Sequence, residues 1–291
     1  MLKKAMIFGL SALTFDSLAL NIEYDTVNGV DIAYYDSQGK GETVVFIHGN
    51  SSSSTSFQKQ LDSQFGQEYR VIAVDLPGHG LSSAPKTNQG YLIPNMTKTL
   101  EMFIEKNNFD TGVVVGWSYG GHLLLQMAQD LENVKGFGIF GTPPLGSPLD
   151  IADGFLPHPA SNFGYVQTLT PSEMDQYTQS FFSPNAQVPF SFKHDIRVTD
   201  GNARVGIATS IETGQLKNER EIVSGLTKPL AIIQGANEQL INSAYFNTVD
   251  MPTLWRQKVN YVYSAGHAPH YENHFEFNNY IRKFVDEVTS N

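Results

Sequence analysis

The stretch Val113-Val114-Val115-Gly116-Trp117-Ser118-Tyr119-Gly120-Gly121-His122-Leu123 decides the fold. Three β-branched residues lead into Gly-Trp-Ser-Tyr-Gly. An apolar run at helical spacing follows, with Leu123, Leu124, Met127, Ala128 and Leu131. Gly-x-Ser-x-Gly between a predicted strand and a predicted helix is the setting of a nucleophile elbow. Such a turn holds its central residue at a strained φ/ψ, and a side chain at Gly116 or Gly120 would collide with neighbouring backbone. The strain lifts the Ser118 hydroxyl clear of the sheet and aims the next helix N-terminus at whatever binds there. The bland alternative is a glycine-rich turn with an incidental serine. The agreement of strand, turn and helix weighs against it.

Working outward, alternating runs at Ile22-Tyr24-Thr26 and Val30-Ile32-Tyr34 flank Asn28-Gly29, a strong hairpin signal. Thr43-Val44-Val45-Phe46-Ile47 reads as a strand buried on both faces. It ends in His48-Gly49-Asn50 and four serines, Ser51 to Ser54, at the strand end where α/β sheets bind ligands. A helix over about 57–65 precedes a strand over 70–75. The rigid turn Leu76-Pro77-Gly78-His79-Gly80-Leu81-Ser82 comes next. A helix over about 94–106 carries Met96, Leu100, Phe103 and Ile104 on one face. After the elbow, a strand over 134–140 ends in Gly141-Thr142-Pro143-Pro144.

The alternation then stops. Residues 145–224 read as short helices and loops rich in aromatics: Phe155, Phe163, Tyr165, Tyr177, Phe181, Phe182, Phe190 and Phe192. This is the composition of a helical cap over the sheet's C-terminal edge, with some aromatics lining a pocket and others forming the cap's own small core. Strands over 229–234 and 258–263 and an amphipathic helix over 275–288 resume the pattern. Strands alternating with helices specify a mostly parallel sheet with right-handed crossovers. The expected organisation is therefore an extension at 1–20, an α/β core at 21–144 and 225–291, and a cap at 145–224.

Composition narrows the function. With 41% hydrophobic and 16% charged residues, the 291-residue chain is ordinary globular protein. A net charge of −10 and no basic cluster beyond Lys3-Lys4 argue against nucleic acid or an anionic membrane as partner. There is no cysteine, which excludes disulfides and thiol catalysis. Met1-Leu2-Lys3-Lys4 and the apolar run from Ala5 to Phe15 resemble a secretory signal too short to span a bilayer, although Asp16-Ser17-Leu18-Ala19 is a poor cleavage region. Export and a cytoplasmic enzyme with an N-terminal extension both remain open. So does the oligomeric state.

A serine hydroxyl becomes a nucleophile when a base takes its proton and a third group orients that base. Both should sit at later strand ends. Glu238 and His267 do, in the chain order serine, acid, histidine. Ser118 would attack a carbonyl, His267 would carry the proton, and Glu238 would hold the imidazole. His270 is a rival base, and Asp195, Asp200 and Asp250 are rival acids at less suitable positions. His267, His270, Glu272 and His274 lie close enough together to suggest a metal site, but their spacing is not His-Glu-x-x-His and Pro269 interrupts it. We expect no metal and no cofactor. The oxyanion donors expected are the backbone N–H groups of Tyr119 and Asn50. His48 and His79 are expected to be scaffold residues.

His48-Gly49, Asp75-x-Pro-Gly-His-Gly-x-Ser82, Gly116-x-Ser-x-Gly120, Gly235-x-x-Glu238 and Gly266-His267-x-Pro269 together resemble the α/β-hydrolase superfamily, over residues 22–288. More narrowly, several segments resemble the α/β-hydrolase-fold N-acyl-homoserine lactonases, the quorum-quenching type. They are His48-Gly49-Asn50-Ser51-Ser52-Ser53, Gly116-Trp117-Ser118, Gly141-Thr142-Pro143-Pro144 and Thr199-Asp200-Gly201-x-Ala203-Arg204, with a glutamate as triad acid. The resemblance implies an α/β-hydrolase fold with a helical cap and hydrolysis of the ester bond of a homoserine lactone ring. The acyl chain would lie under the cap. It also implies that the Tyr177 hydroxyl contacts the lactone. Tyr119 departs from the leucine expected after the nucleophile, and the extension at 1–20 is a second departure.

Other readings use the same residues. A broad carboxylesterase would act on acyclic esters, and a slow-turnover receptor would bind the ligand and keep the triad. Haloalkane dehalogenases and epoxide hydrolases use an aspartate where this chain has Ser118. A metal-dependent lactonase would carry a dense His-x-His-x-Asp-His run, which is absent.

Overall fold

A computed structural model describes residues 22–290. The signal-like segment at 1–20 lies outside the described residues. The core is an eight-stranded sheet in the order β1-β2-β4-β3-β5-β6-β7-β8. Its strands are β1 (Ile22–Val27), β2 (Val30–Asp36), β3 (Thr43–Ile47), β4 (Arg70–Val74), β5 (Val113–Trp117), β6 (Gly136–Phe140), β7 (Leu230–Gly235) and β8 (Asn260–Val262). β2 runs antiparallel to β1 and β4, and the remaining pairs are parallel. Val27 faces Val30 across the expected hairpin, and Asn28 and Gly29 both have positive φ (52° and 77°), as a two-residue I′ turn demands.

Helices α1 (Gln58–Leu61), α2 (Gln64–Glu68), α3 (Ile93–Lys106) and α4 (Tyr119–Met127) precede β6. Between β6 and β7 lie α5 (Ile151–Gly154), α6 (Pro171–Gln179), α7 (Phe190–Val198), α8 (Gly201–Glu212) and α9 (Glu219–Gly225), and α10 (Pro269–Glu272) and α11 (His274–Thr289) follow β8. Successive strand residues feed opposite cores, as a period of two requires. Val45 and Ile47 join Leu100 and Phe103 of α3 and Leu124 of α4. Val44 and Phe46 join Phe57, Leu61, Phe65 and the Phe277, Ile281 and Phe284 face of α11. Every residue of β3, β5, β6 and β7 is buried, so the sheet is covered on both sides.

The helix expected over 57–65 is corrected to a 3-10 turn, Ser54–Phe57, followed by α1 and α2. Ser63 is extended, and its hydroxyl accepts from Phe65 N–H, so it starts a new helix rather than continuing the old one. The last strand shrinks from the expected 258–263 to Asn260–Val262. Among the described residues, no helix is long and apolar enough to cross a membrane.

The order β4-β3-β5 means that the chain leaves β3 in one direction and returns on its other side. The C-terminal ends of β3 and β5 therefore flank a topological switch point, the place where open α/β sheets leave a crevice. Asn50 follows β3 and Ser118 follows β5.

Candidate active site

Ser118 has φ 52° and ψ −118°, the strained turn expected. Its own N–H donates to the Phe140 carbonyl at 2.8 Å, and its carbonyl accepts from Gly121 and His122 N–H as α4 begins. A Cβ on Gly116 would lie 2.5 Å from Gly120 O, and one on Gly120 would lie 2.4 Å from Ile47 O. Both glycines are thus required by close backbone approach. Trp117, buried beneath the turn, donates its indole N–H to the His267 carbonyl at 2.8 Å and so ties β5 to the loop after β8.

The structure brings His267 and Glu238 together. His267 Nδ1 lies 2.8 Å from Glu238 Oε2, and both side chains are only 2% exposed. The other carboxylate oxygen accepts from the N–H groups of Gln239 (2.9 Å) and Leu240 (2.8 Å). With Nδ1–H donated to the carboxylate, the neutral ring presents Nε2 as a lone pair. Gly141, at φ 61°, makes room for the ring, since a Cβ there would sit 2.5 Å from His267 Cε1. Ser118 and His267 line one cavity of about 120 Å³. The Ser118 hydroxyl makes no hydrogen bond to the ring in this structure. Contacts of this kind commonly tighten only when substrate binds.

Asn50 and Tyr119 line the same cavity. Tyr119 opens α4, so its N–H is a first-turn donor with no acceptor inside the helix. Asn50 is held by its side chain. Nδ2 donates to Gly164 O at 2.8 Å, and Oδ1 accepts from Ser51 Oγ at 2.9 Å. Arg204, buried in α8, donates to Ser51 Oγ (3.2 Å), Val166 O (2.8 Å) and Gln167 O (2.9 Å). The segment between β6 and β7 is therefore fastened to the loop after β3.

The expected scaffold residues behave as such. His48 Nε2 accepts from Leu76 N–H at 3.0 Å, so Nδ1–H donates to Gly49 O at 2.7 Å. Complete burial lowers its pKa to about 4 and that of His79 to about 3. Asp75 accepts from Ser54 N–H (2.7 Å) and Leu81 N–H (2.8 Å), joining the serine run to the Pro-Gly-His-Gly turn. Asp195 accepts from Ser53 Oγ at 2.8 Å; burial raises its pKa to about 7, and the neighbouring Asp75 charge adds to the rise.

The rivals go elsewhere. His270 is sealed among Phe57, Trp117 and Phe140, with ring centroids 4.7 to 5.1 Å away. Both its ring nitrogens are buried without a partner, and burial keeps it neutral. Glu272 accepts from Ser183 and Gly266 N–H, Asp200 accepts from the Tyr91 hydroxyl, and Asp250 is exposed. Among the described residues, no three His, Asp or Glu side chains group so as to hold a metal ion.

The aromatics divide. Phe155, Tyr165, Tyr177 and Phe181 line the cavity. Phe182 and Phe192 pack on each other and on Tyr271 in the core, and Phe190 is 76% exposed. A Cβ on Gly164 would lie 2.7 Å from the Tyr177 hydroxyl and 3.0 Å from Asn50 Nδ2, which puts Tyr177 beside Asn50. The Tyr119 ring lines the cavity too, but its hydroxyl is buried without a partner, and burial pushes its pKa up. Sequence reasoning missed a second histidine–glutamate pair at the cavity, His122 with Glu219. The only local signal was that His122 follows Ser118 by four residues on one helix.

A family model described as alpha/beta hydrolase fold matches residues 42–274. A solved structure of a mutant of N-acyl homoserine lactonase AidH, complexed with N-hexanoyl homoserine lactone, is 29% identical in sequence, covers 93% of this chain and 99% of that one, and superposes with a TM-score of 0.88. A second AidH structure, complexed with N-butanoyl homoserine, is 29% identical, covers 94% of this chain and 98% of that one, and has a TM-score of 0.89. The dihydrolipoyllysine-residue acetyltransferase component of the acetoin cleaving system of Cupriavidus necator is 24% identical over 277 residues, which are 93% of this chain and 70% of that protein.

Proposed function

The chain belongs to the alpha/beta hydrolase fold family, and from that premise we propose that it is a metal-independent serine hydrolase that opens the ring of N-acyl-homoserine lactones. The observation that carries the reading is the 2.8 Å pairing of His267 with Glu238 at the cavity that Ser118 lines. The likeness to AidH supports the lactone as substrate.

Ser118 Oγ attacks the lactone carbonyl while its proton passes to His267 Nε2. The N–H groups of Asn50 and Tyr119 receive the charge that develops on the carbonyl oxygen. Glu238 holds the ring and stabilises the imidazolium. The ring oxygen then leaves with the proton from His267, which gives an acyl-enzyme whose alcohol is still part of the same molecule. Water, deprotonated by His267, then attacks the acyl carbon, and Ser118 Oγ leaves with that proton as the N-acyl-homoserine is released. Tyr177 contacts the lactone from the Asn50 side, and residues 145–224 act as a cap that encloses the acyl chain. Destroying such signals would quench quorum sensing.

The test is mass spectrometry of products from a panel of N-acyl-homoserine lactones, with Ser118→Ala as control. A gain of one water, reversed on acidification, marks ring opening. Free homoserine lactone would mark amide cleavage instead. Brisk turnover of p-nitrophenyl esters with lactone rates at background would favour the broad carboxylesterase, which rests on the same pairing. Binding of lactones without turnover would favour a receptor. Activity is expected to survive EDTA.

A further inference from the structure

The cavity holds a second oriented imidazole that the proposed chemistry does not use. His122 lies in α4, four residues after Ser118, and both line the cavity. Its Nδ1 is 2.8 Å from Glu219 Oε2 and 3.1 Å from Oε1. Glu219 is completely buried and also accepts from Gln126 Nε2 (2.9 Å) and Leu145 N–H (3.0 Å). The carboxylate is therefore saturated with donors, and the imidazole is fixed in orientation and in tautomer. Its other nitrogen, Nε2, makes no hydrogen bond among the described residues, and the ring lines the cavity with 12% of its side chain exposed.

The surroundings make that nitrogen conspicuous. Gly164 brings Asn50 and Tyr177 together, and Phe181 links Tyr177 to His267. His122 instead lies against Phe155, at 6.3 Å between ring centroids, with Leu145, Ile211 and Leu216 among the other lining residues. A polar atom in such a wall loses free energy unless a partner meets it. With Nδ1 held by Glu219, Nε2 on the far side of the ring is the nitrogen left to meet a ligand.

We infer that His122 is a specificity-determining residue, whose Nε2 meets a hydroxyl or keto oxygen carried on the acyl chain of the substrate. The inference rests on the lactonase reading for the identity of the ligand. The neutral ring accepts a hydrogen bond from a hydroxyl, and the imidazolium donates one to a ketone.

The test is calorimetric binding to Ser118→Ala protein of N-acyl-homoserine lactones of equal chain length, with the carbon β to the amide unsubstituted, hydroxylated or oxidised to a ketone. An oxygen-bearing ligand is expected to bind about fivefold tighter than the unsubstituted one. That preference should collapse to near unity when His122→Phe or His122→Asn is added. Asn keeps a donor towards Glu219, and circular dichroism of each double variant identifies the folded arm. No preference in the Ser118→Ala protein, or a preference that survives either folded double variant, overturns the inference. Lactone opening by the wild-type chain is measured alongside. Its absence overturns the proposed function, and the binding ratio still decides the role of His122.

Discussion

Ser118 and Tyr119 are neighbours with opposite relations to the cavity. The serine contributes a hydroxyl to it; the tyrosine contributes a ring and hides its hydroxyl without a partner. Ser118→Ala should lower lactone turnover at least a thousandfold, read as initial rates. Glu238→Gln keeps acceptor geometry towards Gln239 and Leu240 but presents an amide to His267 and disturbs its tautomer, so kcat should fall by roughly 10² to 10⁴. A circular dichroism spectrum matching wild type would show that the loss is chemical. Tyr119→Phe removes a buried orphan hydroxyl, and its urea midpoint should match or exceed that of the wild type. A clear loss of stability would mean that the hydroxyl has a partner. The placement of Ser118, Glu238 and His267 after strand ends was legible in the sequence, because strand ends can be read from local pattern. Glu219 was not, because it meets His122 only after the chain between β6 and β7 has folded back.

At the scale of elements, the elbow tolerates no added carbon. Gly116→Ala would place a methyl 2.5 Å from Gly120 O and should destabilise by about 1–3 kcal/mol or more, measured by chemical denaturation. The junction of α7 with the loop after β3 should respond to pH. Asp195 goes from an ordinary carboxyl pKa, near 3.8, to about 7 on folding. Folding therefore favours its protonated form. The stability it contributes is complete below 3.8 and is lost as pH rises through 7. Asp195→Asn should be more stable than wild type at pH 8, and the gap should close towards pH 4. An unchanged gap would rule out Asp195 as the titrating group. The strands were legible because unbroken apolar runs mark a sheet covered on both faces. The helix over 57–65 was misread because Asp62-Ser63 interrupts it by a local side-chain bond that periodicity does not register. The division of the aromatics between cavity and core was hidden for a different reason. It depends on which way each helix of the insertion faces.

At the scale of the whole molecule, burial disfavours the charged form of three histidines, His48, His79 and His270. His48 and His79 drop from an ordinary 6.5 to about 4 and about 3, and His270 drops well below 6.5, all through burial. The unfolded chain takes up protons on these groups below pH 6.5, and the folded one does not. Their contribution to stability is complete above 6.5 and is lost as pH falls towards 4. Urea midpoints measured from pH 7.5 to 4 should decline through that window. A flat profile would mean that other groups compensate. Size selection belongs to this scale too. Replacing Ile211 or Leu216 by Phe should shift the preferred acyl chain to shorter lengths, read as kcat/KM across a homologous series. No shift would place the chain elsewhere. Finally, the fastening of Asn50 to Gly164, and of Arg204 to Ser51, Val166 and Gln167, bears on how such proteins diverge and are re-engineered. The segment between β6 and β7 should therefore not behave as an interchangeable cassette. A transplant from a relative would have to bring both halves of the clasp, or the loop that positions Asn50 would lose its register along with the old specificity.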